Sequence, residues 1–512
     1  MSDSLARLNT HALNRLDRQF PGWPHAIVLL LVLRAALSWS GTLDPNSLWF
    51  DDVWVAAIAR LPKLLDAVRV TAPVPPGFVA LEWVALRAFR DPEWSLQVVP
   101  FVAALSSIPL VATLSYRLTA SRWVALASSA AWTVNPWLGG AAVAAKQYAT
   151  DALVTLLLCA LADRAVQHPS SRTLAVSAMV GLAAVFFSLS AVFLGTAFVG
   201  AMVVLIWLRE PISRIHAAGV GAVYVVGLWL VGKVIVAGRS APALQDYWSH
   251  HFLPVTSPSQ TLRFLLAVQG PTALAAPLPF GVAPLALLVL PGLAWLWVTR
   301  SRFAAVVTLF LLGLPVASAL RLYPMGGYRT DTFLHPLSVL LAATGLHALA
   351  AWLRGARANF YLRVAPALVT ITLAFLATPR PRYPPHASKE MREGALASIE
   401  REALVLYSAQ WWVGYYGSWP YRLESDPESG TSFRVAFEEG PRVLALREGA
   451  AGTLAWLREL ATQRAVTVVA STVSDADTDH IAVLELAGLS LVLRATDDGL
   501  ALFDLMVRED PP

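Results

Sequence analysis

About eleven apolar runs, each near the length a bilayer core requires, constrain this chain more than any other feature. They fall at 23–40, 98–116, 123–140, 149–163, 173–189, 191–208, 217–237, 281–299, 303–320, 332–353 and 362–378. Inside lipid the backbone must satisfy its own polar groups, so runs of this kind fold as helices. Only 14% of residues are charged and 56% are hydrophobic, against roughly 25% charged in soluble proteins. The mean hydropathy is +0.56. The net charge of +5 does not point to nucleic acid. Its arginines sit in short clusters between apolar runs, the pattern of a positive-inside membrane protein. The lone Cys159 leaves no intrachain disulfide and no cysteine metal cluster.

The basic clusters orient the chain. Arg117 with Arg122, Arg164 with Arg172, Arg209 with Arg214, Arg300 with Arg302, and Arg354 with Arg357 and Arg363 occupy alternate loops. All can be cytoplasmic together with residues 1–22, where Leu5, Leu8, Ala12, Leu16 and Phe20 mark an amphipathic surface helix. The loops at 41–97, 135–148, 238–280 and 321–331 then lie outside, and so does everything after 378. Three parts are expected: a cytoplasmic helix at 1–22, a transmembrane domain at 23–378 and an extracytoplasmic domain at 379–512. A proline linker at Pro379, Pro381, Pro384 and Pro385 opens the last part. Beyond it strand-like runs (403–407, 442–446, 465–470, 489–493) alternate with helix-like ones (410–416, 453–461, 477–487), which predicts a small α/β sandwich with a largely parallel sheet. No glycine-rich phosphate loop interrupts it.

Asp51 and Asp52 stand just beyond the first span, in LWFDDVWVAAIAR. Two acids at a membrane edge are either solvated or used. They can cap a helix beginning near Val53, since aspartate suits a helix N-terminus. They can also do chemistry. A carboxylate is a suitable base for a hydroxyl attacking a carbon whose leaving group is a phosphate, and one such displacement inverts the centre.

The strings LWFDDVWVAAIAR, PVPPGFVALEWVALRAF and DPEWSLQVVPFVAALSSIPLVATLSYRL resemble the N-terminal third of GT-C integral-membrane glycosyltransferases. The nearest group holds protein O-mannosyltransferases and aminoarabinose lipid A transferases of bacteria. Its acidic pair is usually Asp-Glu; here it is Asp51-Asp52, the following turn is Val74-Pro75-Pro76 without the usual histidine, and an arginine of the next step is Gln97. Two further motifs carry the resemblance: Asn135-Pro136-Trp137 with Lys146-Gln147-Tyr148-Ala149-Thr150-Asp151, and Tyr323-Pro324-Met325-Gly326-Gly327-Tyr328-Arg329.

The resemblance implies a multispan α-helical membrane protein of GT-C type in a bacterial plasma membrane. It moves a sugar from a polyprenyl-phosphate donor to a glycan, glycolipid or protein acceptor on the outer face. Asp51 is then the base and Asp52 its neighbour. Lys146 and Arg329 serve the donor phosphate, with Tyr148 and Tyr323 beside the lipid. A cation at the membrane edge suits a lipid phosphate, although a lysine there can equally snorkel. Arginine grips phosphate bidentately, although a Gly-Gly turn needs no ligand. Asp151, an acid about one turn into a span, can pair with Lys146, orient the acceptor or share a metal. No cofactor is required, and a divalent metal is the one addition the acids leave open.

His250 and His251, with Asp246 and Tyr247, sit in the long loop 238–280 and read as a substrate-facing lid, without the spacing of a helical metal pair. Arg34, near the outer end of the first span, can reach the donor phosphate or snorkel. Trp411, Trp412, Tyr415, Tyr416, Trp419 and Tyr421 open the tail domain, where they can stack on sugars, face the membrane or form core. Two other functions compete with transfer: a non-catalytic binder of lipid-linked sugar, and a transporter. The transporter predicts charges along a path through several spans, whereas here they gather at one face.

Overall fold

The computed structural model describes residues 22–40, 50–70, 74–89, 92–209, 214–236, 248–265, 282–325, 332–353, 356–376, 396, 403–406, 409–417, 419–425, 433–439, 441–444, 451–464, 466–471, 475–486, 489–496 and 500–507. The expected surface helix up to residue 21 and the proline linker lie outside them. The chain divides into two compact units. A helical unit comprises Met1–Leu43, Val98–Val234 and Tyr247–Arg382, and a loop-and-tail unit comprises Asp44–Gln97, Ile235–Asp246 and Tyr383–Pro512.

In the helical unit the expected apolar runs are helical over their described residues, with one break. Among the described residues six helices are long and apolar enough to cross a membrane: Trp23–Ser40, Glu93–Thr119, Ala191–Leu208, Arg214–Lys233, Ser301–Ala319 and Leu334–Trp352. Shorter apolar helices run over Ser171–Phe187, Leu288–Thr299 and Val364–Leu376. Trp23–Ser40 shows the membrane logic in miniature. It buries Leu31, Ala35 and Trp39 at four-residue spacing and turns Leu29, Leu30, Leu33 and Leu37 outward. The run expected at 123–140 is broken, because Arg122–Thr133 ends and a short helix Pro136–Val143 restarts. The Asn135 side chain caps the restart by accepting from the amides of Trp137 (2.8 Å) and Leu138 (3.4 Å), with Pro136 in the first helical position.

Polar pairs and small residues join these helices, since lipid offers little hydrophobic drive for helix association. Trp132 Nε1 donates to Ser107 Oγ (2.7 Å) and Ser128 Oγ to Ser115 Oγ (2.7 Å), fastening Arg122–Thr133 to Pro92–Thr119. At another end Asp163, fully buried, receives Arg117 at 2.6 Å and Arg300 at 3.6 Å. Arg300 also donates to the Arg117 carbonyl (3.0 Å), and Arg302 to that of Val166 (3.1 Å). Arginines read from sequence as orientation signals therefore also knot three helix ends. Helices Val282–Thr299 and Leu334–Trp352 touch backbone to backbone. A methyl added at Gly292 would overlap the Leu341 carbonyl, and one at Gly345 the Leu288 carbonyl.

The loop-and-tail unit begins with helices Phe50–Ala59, Leu64–Arg69 and Pro76–Ala88 and the first residues of Pro92–Thr119. Its tail holds strands β1 (Leu404–Leu406), β2 (Tyr421–Ser425), β3 (Phe433–Phe437), β4 (Arg442–Leu444), β5 (Val466–Ser471), β6 (Leu489–Thr496) and β7 (Leu500–Val507). Five form one sheet in the order β4-β1-β5-β7-β6, and β2 and β3 form a separate hairpin. β1 is parallel to β4 and to β5, but β7 is antiparallel to both β5 and β6. The sheet is therefore mixed rather than largely parallel. Only three residues separate β6 from β7, and a connection that short joins antiparallel strands. Asp498-Gly499 was the available hairpin signal. Helices Ala451–Gln463 and Asp475–Leu486 bury Leu457 and Leu484 against Leu404, Leu406, Val466, Val468, Leu489 and Leu505.

Four of the six clustered aromatics are interior, and Trp419 and Tyr421 are half-buried. All seven residues of the Gln410–Tyr416 helix are buried, so Trp411, Trp412, Tyr415 and Tyr416 act as core rather than as an open sugar platform. Gln410 Oε1 accepts from the Val435 amide at 2.6 Å, binding this helix to the β2–β3 hairpin. Asp477 Oδ2 accepts from the amides of Ala409 (3.1 Å) and Ser471 (2.7 Å), binding it to the end of β5.

Gly345→Val tests the backbone contact of the two helices. It is expected to lower stability by about 3 kcal/mol through overpacking, read as a fall in the thermal unfolding midpoint in detergent. An unchanged midpoint would mean that the helices do not meet there.

Candidate functional site

Helix Phe50–Ala59 starts earlier than expected, so Asp51 and Asp52 fall inside its first turn rather than ahead of it. Their charge still complements the helix dipole there. Asp52 turns inward and is 5% exposed; the Asp51 side chain lies outside the described residues.

A second acid in this unit was not singled out in the sequence. Pro75 and Pro76 start helix Pro76–Ala88, with Pro75 as its cap. The buried face of that helix carries Phe78, Val79, Glu82 and Ala85. Glu82 is 0% exposed, and neither of its oxygens has a hydrogen-bond partner among the described residues. Burial holds its carboxyl well above the ordinary carboxylate range, and the nearby Asp52 adds to the effect. An acid at a core position of an apolar helix was the legible signal. Glu93, in the first turn of Pro92–Thr119, is buried too and bears on Tyr415. Burial raises the Tyr415 hydroxyl well above its usual range, and Glu93 raises it further.

In the helical unit the second and third motifs meet at one helix start. The Asn135 cap aims the short helix carrying Trp137, whose ring lies edge-on to Tyr148 (6.2 Å) and His335 (5.1 Å). Phe333, two residues before His335, meets Tyr323 at 6.1 Å, and Phe193 meets Tyr323 at 5.0 Å. Lys146 is buried in the turn before helix Tyr148–Ala165. Asp151 is buried in the first turn of that helix, within hydrogen-bonding reach of Ser188. Ser188 and Ser190 share a hydrogen bond of 2.9 Å. His335 was missed in the sequence, although a histidine before Pro336 at the mouth of an apolar run was visible.

Tyr323 follows a backbone turn of unusual hand. Arg321 has φ 56°, and it ends helix Ser301–Ala319 with bonds from its own amide to Ser318 (2.9 Å) and from the Leu322 amide to Ala317 (2.9 Å). Gly326, Gly327, Tyr328 and Arg329 lie outside the described residues, as do Asp246 and Tyr247. His250 is exposed and His251 half-buried against Trp248 (5.1 Å). The His251 carbonyl accepts from Met325 (2.7 Å), and the Leu253 amide donates to Ser318 (2.9 Å), so this part of the long loop is tied to the 318–325 turn. Among the described residues no three His, Cys, Asp or Glu side chains converge as a metal site requires.

A bundle of apolar helices, an acid-bearing helix after the first of them and a sheet-containing tail together make the fold. Two solved structures of ArnT from Cupriavidus metallidurans share it. The apo structure is similar with a TM-score of 0.54 and 15% identity, covering 94% of this chain and 98% of that one. The structure bound to undecaprenyl phosphate has a TM-score of 0.55 and 16% identity over the same shares. No protein-family model and no curated protein matches the chain.

Glu82 yields a pH prediction. The folded protein holds its proton where the unfolded chain has lost it, so stability is greatest below the ordinary value of 4.5 and declines as pH rises from there toward the folded value. Glu82→Gln cannot lose a proton. Its stability relative to wild type is therefore expected to rise as pH climbs above the ordinary value of 4.5, measured as the difference in unfolding midpoints. A difference that stays constant with pH would contradict a buried proton at Glu82.

Proposed function

We propose that this protein transfers a sugar from a polyprenyl-phosphate donor to an acceptor hydroxyl of a cell-envelope glycan, glycolipid or protein on the outer face of the membrane. The observation that carries this reading is the likeness in fold, over 94% of the chain, to ArnT bound to undecaprenyl phosphate. The membrane-edge acids and the Lys146 and Tyr323–Arg329 motifs support it.

The chemistry follows from these side-chain types. The acceptor oxygen attacks the anomeric carbon as the carbon–oxygen bond to phosphate breaks, and the phosphate leaves with the electron pair. Asp51 takes the acceptor's proton, and a single displacement inverts the centre. Lys146 and Arg329 balance the charge of the lipid phosphate. Tyr148 and Tyr323 flank the lipid, and Asp151, His250 and His251 contact substrate. Positive-inside logic keeps the N-terminus cytoplasmic and the tail domain outside.

Purified protein incubated with a panel of undecaprenyl-phosphate sugars is expected to consume one of them, with inversion read by NMR of the product. Asp51→Asn is expected to reduce that turnover by about a hundredfold or more. Turnover that survives the substitution would remove Asp51 as the base.

A further inference from the structure

The acid-bearing helix Phe50–Ala59 is short, and its last carbonyls have no partner within it. They are met from outside. Ala59 accepts from Arg87 at 3.1 Å, and the following Leu61 from Arg87 (2.6 Å) and Trp83 Nε1 (3.0 Å). Those donors come from the neighbouring loop helix, and the positive guanidinium suits a helix C-terminus. The Ala57 carbonyl is different: it accepts from the hydroxyl of Tyr421, the first residue of β2, at 2.6 Å.

Two further ties join the same elements. Arg60 donates to the Tyr415 carbonyl, and its guanidinium lies over the Tyr415 ring at 5.7 Å. Trp54 meets Trp411 edge-on at 6.3 Å. The tail side of these contacts is held in turn by Gln410 on Val435 and by Asp477 on Ala409 and Ser471. A continuous chain of bonds therefore runs from the tail sheet to the acid-bearing helix. Ala57 lies six residues beyond Asp51, about 9 Å along a stiff helix, so fixing that carbonyl fixes the axial position and roll of the acids.

With the first-loop acids taken as the catalytic ones, we propose that Tyr421 is a positioning residue for transfer and that the tail domain aims the acid-bearing helix through it. The Tyr421 hydroxyl is spent on the Ala57 carbonyl and does not touch substrate. A shift of the acids weakens the chemical step more than donor binding, because proton removal depends on geometry at the reacting atoms.

The test is Tyr421→Phe, which keeps the ring beside Phe437 (6.4 Å) and removes only the hydroxyl. With the undecaprenyl-phosphate sugar that wild type consumes, kcat is expected to fall about tenfold while KM stays within about twofold. Hydrogen exchange of segment 50–61 is expected to rise while β5 and β7 keep their protection. Arg60→Lys, which loses the planar fork on Tyr415 from the other side, is expected to act in the same direction and serves if Tyr421→Phe does not fold. Unchanged kcat with unchanged exchange overturns the proposal, and so does a rise in KM alone. A wild type inert on the whole panel removes the transferase reading instead, and the exchange measurement still decides whether the tail holds the helix.

Discussion

A backbone in lipid must satisfy its own hydrogen bonds, and only helix interiors do so unaided. Everything distinctive here follows from what happens at helix ends. Asn135 restarts a broken span by accepting two amides, and a left-handed Arg321 closes another helix. Arg87, Trp83 and Tyr421 supply donors where Phe50–Ala59 runs out of its own. Candidate functional residues collect at these places because an interrupted ladder needs polar side chains, and polar side chains are what chemistry uses.

The same constraint explains the two characters of charge in this chain. Asp163 is buried with Arg117 and Arg300 around it, and it knots helix ends. Glu82 is buried with no hydrogen-bond partner among the described residues, and burial holds its carboxyl well above the ordinary carboxylate range. One acid is structural because cations converge on it. The other is a titratable group buried near Asp52, which raises its carboxyl further.

Much of this was legible in the primary structure, and the exceptions have physical causes. The apolar runs marked the helices because span length and hydropathy are local properties. The run expected at 123–140 is broken at Asn135-Pro136, because the capped restart depends on a side chain folding back. Glu82 sat in plain view in FVALEWVAL, yet its burial depends on which face of Pro76–Ala88 meets Phe50–Ala59. The mixed sheet escaped because β7 slots between β5 and β6, two strands that precede it in sequence.

The sequence by itself determined that the chain is a multispan helical protein with an α/β tail, that acids follow the first span, and which residue types stand at the turns between spans. Those follow from composition and from contacts within a few residues. Only the tertiary structure decided that Trp411, Trp412, Tyr415 and Tyr416 are core, that Asp52 has Glu82 for company, and that Tyr421 reaches Ala57 across 364 residues. Pairings of that range are set by the packing of whole elements, and no local pattern of side chains encodes them.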